Sequence, residues 1–143
     1  MTRAGRVLGV DVGHVRVGLA VSDPDRLVAT PLDTLSGGAD LPVRLARRAR
    51  EESCDTVVIG LPLSLSGRDT DSTRAARAVA SALSELGLEV QLWDERLSSA
   101  EAERRLLGAG RRREQRRGER DRVAAAIILQ GWLDARRNRS GEQ

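Results

Sequence analysis

The chain has 143 residues and a mass of 15.5 kDa, the size of one domain, and carries a formal net charge of +3 with 24 arginines and no lysine. Without lysine there is neither a Walker-A ATPase nor Schiff-base chemistry. A single Cys54 excludes an intrachain disulfide, and with a single His14 it excludes a Cys/His zinc centre built within one chain.

Residues 6–11 (RVLGVD) form an apolar run expected to be a strand, and 16–22 (RVGLAVS) a second, joined through Gly13 in a tight hairpin. Residues 27–35 suit a third strand, which Pro31 confines to an edge or a bulge. After the break Ser36-Gly37-Gly38, Asp40 is an N-cap for a helix over 41–52 with Leu41, Leu45 and Ala49 on one face. Residues 55–60 (DTVVIG) read as a parallel strand covered on both faces, and 61–70 as a loop. A helix over 72–86 places Ala75, Val79, Leu83 and Leu86 together and stops at Gly87. Residues 89–95 (EVQLWDE) are a strand, and Ser98 and Glu101 have capping-box spacing for a short helix ending before Gly110. Residues 111–120 are polar and arginine-dense, and a last helix runs over 118–137. Three hairpin-linked strands followed by two crossover strands give an α/β fold, a five-stranded mixed sheet flanked by helices. Residues 1–137 are expected as one domain, with 138–143 a frayed tail.

Acids stand at the ends of three elements. Asp11 closes the first strand, where a turn role in Asp-Val-Gly is the simplest account. Asp94 and Glu95 close the last strand, at the carboxyl edge where open α/β sheets place their sites. Alternation pairs Asp94 with Leu92 and Glu95 with Trp93, and it does not choose between the two acids. Asp121 opens the final helix on the same face as Ala125, Ile128 and Trp132, with the small residues Ala124, Ala125 and Ala126 allowing a close approach to the sheet. The helix dipole accounts for an acid in a first turn, but not for its place on the apolar face. If such acids converge they repel one another and call for cations. A donor set of carboxylate oxygens selects Mg²⁺ or Mn²⁺, and a pair of such ions is a device for phosphodiester hydrolysis.

Between residues 104 and 122 lie nine arginines against Glu114, Glu119 and Asp121. The isoelectric point of about 10.6 is itself uninformative, because without Lys or Tyr a small basic excess carries it far up. Abundant Gly, Ala and Arg with scarce Ile, Asn and Lys reflect GC-rich codons, so the information lies in where the arginines stand. Arg104, Arg105, Arg111, Arg112, Arg113, Arg116 and Arg117 are the candidate phosphate ligands, since guanidinium forks match phosphate oxygens. No signal peptide opens the chain and no apolar stretch reaches membrane-spanning length, so a cytoplasmic protein without membrane contact is expected.

The blocks DVGHVRVGLAVSD (11–23), ATP (29–31), VVIGLPLSLSG (57–67), WDERLSSAEAERRL (93–106) and DRVAAAIILQGWLD (121–134), in this order, resemble the YqgF/RuvX-type family of Holliday junction resolvases and pre-16S rRNA nucleases. The resemblance implies an RNase H-like fold, with Asp11, Glu95 and Asp121 as the metal-binding catalytic acids, and so it selects Glu95 over Asp94. Family members commonly carry Thr-Lys where this chain has His14 and Val15, Asn at Ser64, and Gly-Pro near Thr70-Asp71-Ser72. These departures touch loops and leave the acids intact. His14 is read as a surface residue.

The resulting expectation is a metal-dependent endonuclease, monomer or weak homodimer, that processes the 5′ end of pre-16S rRNA and associates with the small ribosomal subunit. The alternatives are a branched-DNA resolvase, which needs two active sites, and a non-catalytic RNA- or ribosome-binding module. The segment DVGHVRVG also resembles the phosphate loop of actin-like ATPases, but those enclose nucleotide between two lobes and 143 residues hold one.

Overall fold

The structure, a computed structural model, describes residues 5–97 and 113–141, and within the last helix the side chains of residue 119 and of residues 121–138. Its strands are β1 (Arg6–Val12), β2 (Arg16–Ser22), β3 (Ala29–Ser36), β4 (Cys54–Leu61) and β5 (Glu89–Asp94). Its helices are α1 (Leu41–Glu51), α2 (Asp71–Glu85) and α3 (Arg113–Gly141). The strands lie in the order β3-β2-β1-β4-β5. β1–β2 and β2–β3 pair antiparallel, whereas β1–β4 and β4–β5 pair parallel. This is the mixed five-stranded sheet that the element order implied.

The apolar runs explain the centre of the sheet. β1 and β4 are buried on both faces, so Val7-Leu8 and Val57-Val58-Ile59 are continuous rather than alternating. β3 takes the edge, as Pro31 requires, and the β2–β3 register slips between Leu19 and Ala20, so that Ala20 faces Pro31 while Leu19 faces Asp33. α1 and α2 cover one face, packing Leu45, Ala49, Ala76 and Leu83 on Leu8, Val10, Leu19 and Ile59. α3 covers the other, laying Ala125, Ile128, Leu129 and Leu133 on Val7, Ala20 and Val58.

Several expectations are corrected. Asp40 precedes α1 but its side chain makes no cap hydrogen bond; its carboxylate pairs instead with Arg44 at 3.2 Å. α2 begins one residue earlier than expected and is capped by Thr70, whose hydroxyl accepts from the Thr73 backbone N–H in a reciprocal capping box. Its buried face runs through Thr73, Ala76, Val79, Ala80 and Leu83, while Ala75 is exposed and Leu86 is 40 % exposed. The stripe centres on Ala76 and Leu83, and Ala75 and Leu86 fall at its margin. β5 stops at Asp94, and Glu95 starts a single 3₁₀ turn, Glu95–Leu97. α3 begins at Arg113 rather than residue 118, because Arg, Glu and Gln, all good helix formers, outweigh the single Gly118 in the polar stretch leading to Asp121. It also continues to Gly141, so residues 138–141, expected as a frayed tail, are helical. The helix expected over 98–109 lies outside the described residues.

Candidate active site

Three glycines carve the face under α3. A Cβ at Gly9 would lie 2.7 Å from Cβ of Leu129, and one at Gly60 would lie 2.7 Å from Cδ1 of Ile128 and 2.8 Å from Oε2 of Glu95. At Gly18 the conflict is with backbone, since a Cβ there would stand 1.9 Å from the carbonyl oxygen of Asp121. Real Cβ atoms do not tolerate these distances, so glycine is what lets α3 and the Glu95 side chain reach the sheet.

Asp11 lies on this same face. Along β1 the residues alternate, Val7, Gly9 and Asp11 toward α3 and Leu8 and Val10 toward α1 and α2. Asp11 pairs in register with Gly18, the residue against which Asp121 rests, and it is only 7 % exposed. On the other side of β1, Gly60 pairs with Trp93, and Glu95 folds over Gly60 from the turn after β5. Strand β1, the turn after β5 and helix α3 thus deliver Asp11, Glu95 and Asp121 to one cleft of about 200 Å³, whose other walls are Val12, Gly13, Pro62 and Ser72.

Asp121 sits in the third turn of α3, not the first, so the helix dipole does not explain an acid there. Its carboxylate Oδ2 accepts a hydrogen bond of 3.1 Å from Nε of Arg16, the first residue of β2. Among the described residues, no three His, Cys, Asp or Glu side chains lie close enough together to hold a metal ion as they stand. The three acids line one cleft without being drawn into a single cage.

Asp94, the alternative to Glu95, is engaged elsewhere. Both its oxygens accept from Nε of Arg96 at 3.0 Å, and Oδ2 also accepts from a terminal guanidinium nitrogen at 2.6 Å. The Arg96 side chain, with a further bond from the Arg96 backbone N–H, holds the Asp94 carboxyl below the ordinary carboxylate range. His14 is exposed, and its Nε2 lies 3.3 Å from Oγ of Ser72 across the cleft mouth.

The expected phosphate ligands Arg104, Arg105, Arg111 and Arg112 lie outside the described residues, as do the side chains of Arg113, Arg116 and Arg117. Sequence reasoning passed over Arg16, Gly18, Gly60 and Ser72. Glycines inside strands were the available signal for two of them, since they mark a close approach of another backbone or side chain. No sequence signal ties Arg16 to a partner 105 residues away.

Comparison with known proteins gives consistent results. The chain matches the family model described as "RuvX: Holliday junction resolvase" over residues 5–135. A protein of Anaeromyxobacter dehalogenans (strain 2CP-C) named "Putative pre-16S rRNA nuclease" is 46 % identical over 134 residues, spanning 92 % of this chain and 98 % of the relative. A protein of the same name from Clavibacter sepedonicus is 44 % identical over 140 residues, spanning 94 % of this chain and 86 % of the relative. Among solved structures, Thermus thermophilus RuvC in complex with Holliday junction substrate superposes with a TM-score of 0.55 at 18 % identity, covering 92 % of this chain and 94 % of RuvC. The fold is RNase H-like.

Proposed function

Because the chain belongs to the RuvX family, we propose that it is a metal-dependent endonuclease acting on the 5′ end of pre-16S rRNA in the cytoplasm, with Asp11, Glu95 and Asp121 as its catalytic and metal-binding acids. The observation that carries this reading is the arrival of those three carboxylates, from three separate elements, in one cleft cleared by Gly18 and Gly60. Their donor set is all oxygen, which fits Mg²⁺ or Mn²⁺ and not a soft metal. Such ions, when bound, supply an activated water and charge stabilisation at the departing 3′ oxygen.

The chain's own residues do the rest. Asp11 is held by a central strand and by burial, so its carboxylate is the fixed reference of the site. Glu95 leaves the sheet on a 3₁₀ turn, and Arg96 keeps the neighbouring Asp94 paired outside the constellation. Asp121 is pinned through its backbone against Gly18. Arginines 104, 105, 111–113, 116 and 117 are the proposed ligands of the RNA phosphates, flanking Asp121 in sequence. Residues 1–137 form the nuclease domain, and the proposed working form is a monomer or weak homodimer that meets its RNA in the small ribosomal subunit.

Pre-rRNA is favoured by the relatives, which share nearly half their residues with this chain and are named for it. The family description favours a second reading, cleavage of four-way DNA junctions. One assay separates them: cleavage of precursor rRNA, linear RNA and four-way DNA, each with Mg²⁺ or Mn²⁺ and with EDTA. Asp11→Asn, Glu95→Gln and Asp121→Asn should each abolish cleavage while RNA binding persists. Normal cutting by any of the three variants removes that residue from the site, and cutting in EDTA removes the metal.

A further inference from the structure

Arg16 opens β2 on the α3 side of the sheet and binds Oδ2 of Asp121 at 3.1 Å. Asp121 lines the cleft and Arg16 holds it from beside that lining, with the Arg16 and Asp121 side chains 34 % and 27 % exposed, within reach of dissolved ions and of a nucleic-acid backbone. The Asp121 backbone is fixed, because its carbonyl abuts Gly18 where no side chain fits. What remains free is the side chain, whose torsions decide whether the carboxylate faces Arg16 or joins Asp11 and Glu95. As the structure stands it faces Arg16, and the acids do not form a cation cage.

We propose that Arg16 is a latch on Asp121: it holds the carboxylate while no divalent cation is bound, gives it up when Asp121 joins Asp11 and Glu95 on a cation, and is then free to bind a phosphate of the nucleic-acid backbone. The inference rests on the three-acid reading above. A guanidinium released beside the cleft presents a fork suited to phosphate oxygens. The exchange makes cation binding and phosphate binding mutually reinforcing, since each favours the state in which the pair is broken, and that coupling is reciprocal. Arg16 is in this sense a positioning residue before substrate arrives and a substrate ligand afterwards.

The test reads binding, not cleavage. Affinity for a single-stranded RNA oligonucleotide is measured in EDTA for the wild type, Arg16→Gln, Asp121→Asn and the double variant, with thermal melts to verify folding. Breaking the latch with Asp121→Asn should tighten cation-free RNA binding about fivefold, the scale of one exposed ion pair. In the Arg16→Gln background the same substitution should give less than about a twofold gain, because no guanidinium is left to release. An equal gain in both backgrounds overturns the latch, as it would report only the removal of a negative charge. In calorimetry with Mn²⁺ alone, Arg16→Gln should bind the ion about threefold more tightly than the wild type. Unchanged or weaker Mn²⁺ binding by Arg16→Gln overturns the latch and leaves the site standing, provided Asp121→Asn weakens Mn²⁺ binding. Unchanged Mn²⁺ binding by Asp121→Asn removes the three-acid site, and the latch with it.

Discussion

Under α1 and α2, the strands β1, β2 and β4 present Leu8, Val10, Val17, Leu19, Val57 and Ile59, all fully buried. Under α3 the same three strands present Val7, Gly9, Asp11, Gly18, Ala20, Val58 and Gly60. One face is filled and the other hollowed. Large aliphatic side chains removed from water supply most of the driving force for folding, and the first face carries most of them. The second face gives up that bulk so that α3 can lie close to the sheet and bring Asp121 beside the Asp11–Gly18 pair. The same sheet therefore divides its labour by strand parity, with packing on one side and placement of carboxylates on the other.

The strongest way to break this division is a single methyl group at Gly18. In Gly18→Ala the new Cβ falls 1.9 Å from a backbone carbonyl of α3, which cannot rotate away as a side chain would. The helix must shift, at a cost of about 1–3 kcal/mol by the usual scale of overpacking. It must also carry Asp121 with it, and a misplacement near 1 Å can cost about a hundredfold in rate. Nuclease activity of the folded variant should fall at least that far, with its melting temperature lowered. Activity within about threefold of the wild type would show that Asp121 is not placed by this contact.

The filled face should respond in the opposite way. Leu45 of α1 is fully buried among Leu8, Leu19 and Ile59. Leu45→Ala should lower the unfolding free energy by about 2–5 kcal/mol in a urea titration, the range for large-to-small core substitutions. Cleavage per folded molecule should remain near the wild-type value, because the cavity opens on the side of the sheet away from the acids. A fall in kcat that tracks the loss of stability would merge the two faces into one functional unit.

These contrasts also mark what a single sequence makes legible. The continuous apolar run Val57-Val58-Ile59 reads as a strand covered on both sides, and it supplies the filled face with Val57 and Ile59 while Val58 turns to α3. Helix α1 is legible from Leu41, Leu45 and Ala49 for the same reason of period. The hollow face is written in absences, and an absent side chain says that something comes close without saying what. Hence Gly18 and Gly60 gave no partner until Asp121 and Glu95 were seen against them. Glu95 and Asp94 could not be separated by alternation, since the strand ends between them and the chain turns; the family resemblance alone chose Glu95, and the structure adds that Glu95 lines the cleft while Asp94 pairs with Arg96. The start of α3 was missed because a run of charged residues interrupted by Gly118 shows no apolar period, although its Arg, Glu and Gln are good helix formers.

The smallest predicted effect probes how dry the filled face is. Cys54 at the start of β4 belongs to that core, and burial pushes its thiol up to about 12 from an ordinary value of 9.0. Between those two values the unfolded chain has lost a proton that the folded chain keeps, so unfolding releases a proton and stability declines as pH rises. The contribution is whole below pH 9 and is lost as pH approaches 12. In most proteins Lys and Tyr would hide this decline, but this chain has neither, and arginine stays charged throughout the window. Alkaline unfolding should therefore show a slope between pH 9 and 12 that Cys54→Ala flattens, and the native thiol should resist a thiol reagent at pH 8 that labels it at once in urea. Rapid labelling of the native protein would mean that solvent reaches the filled face at the start of β4, and the contrast between the two sides of the sheet would have to be confined to the strand centres.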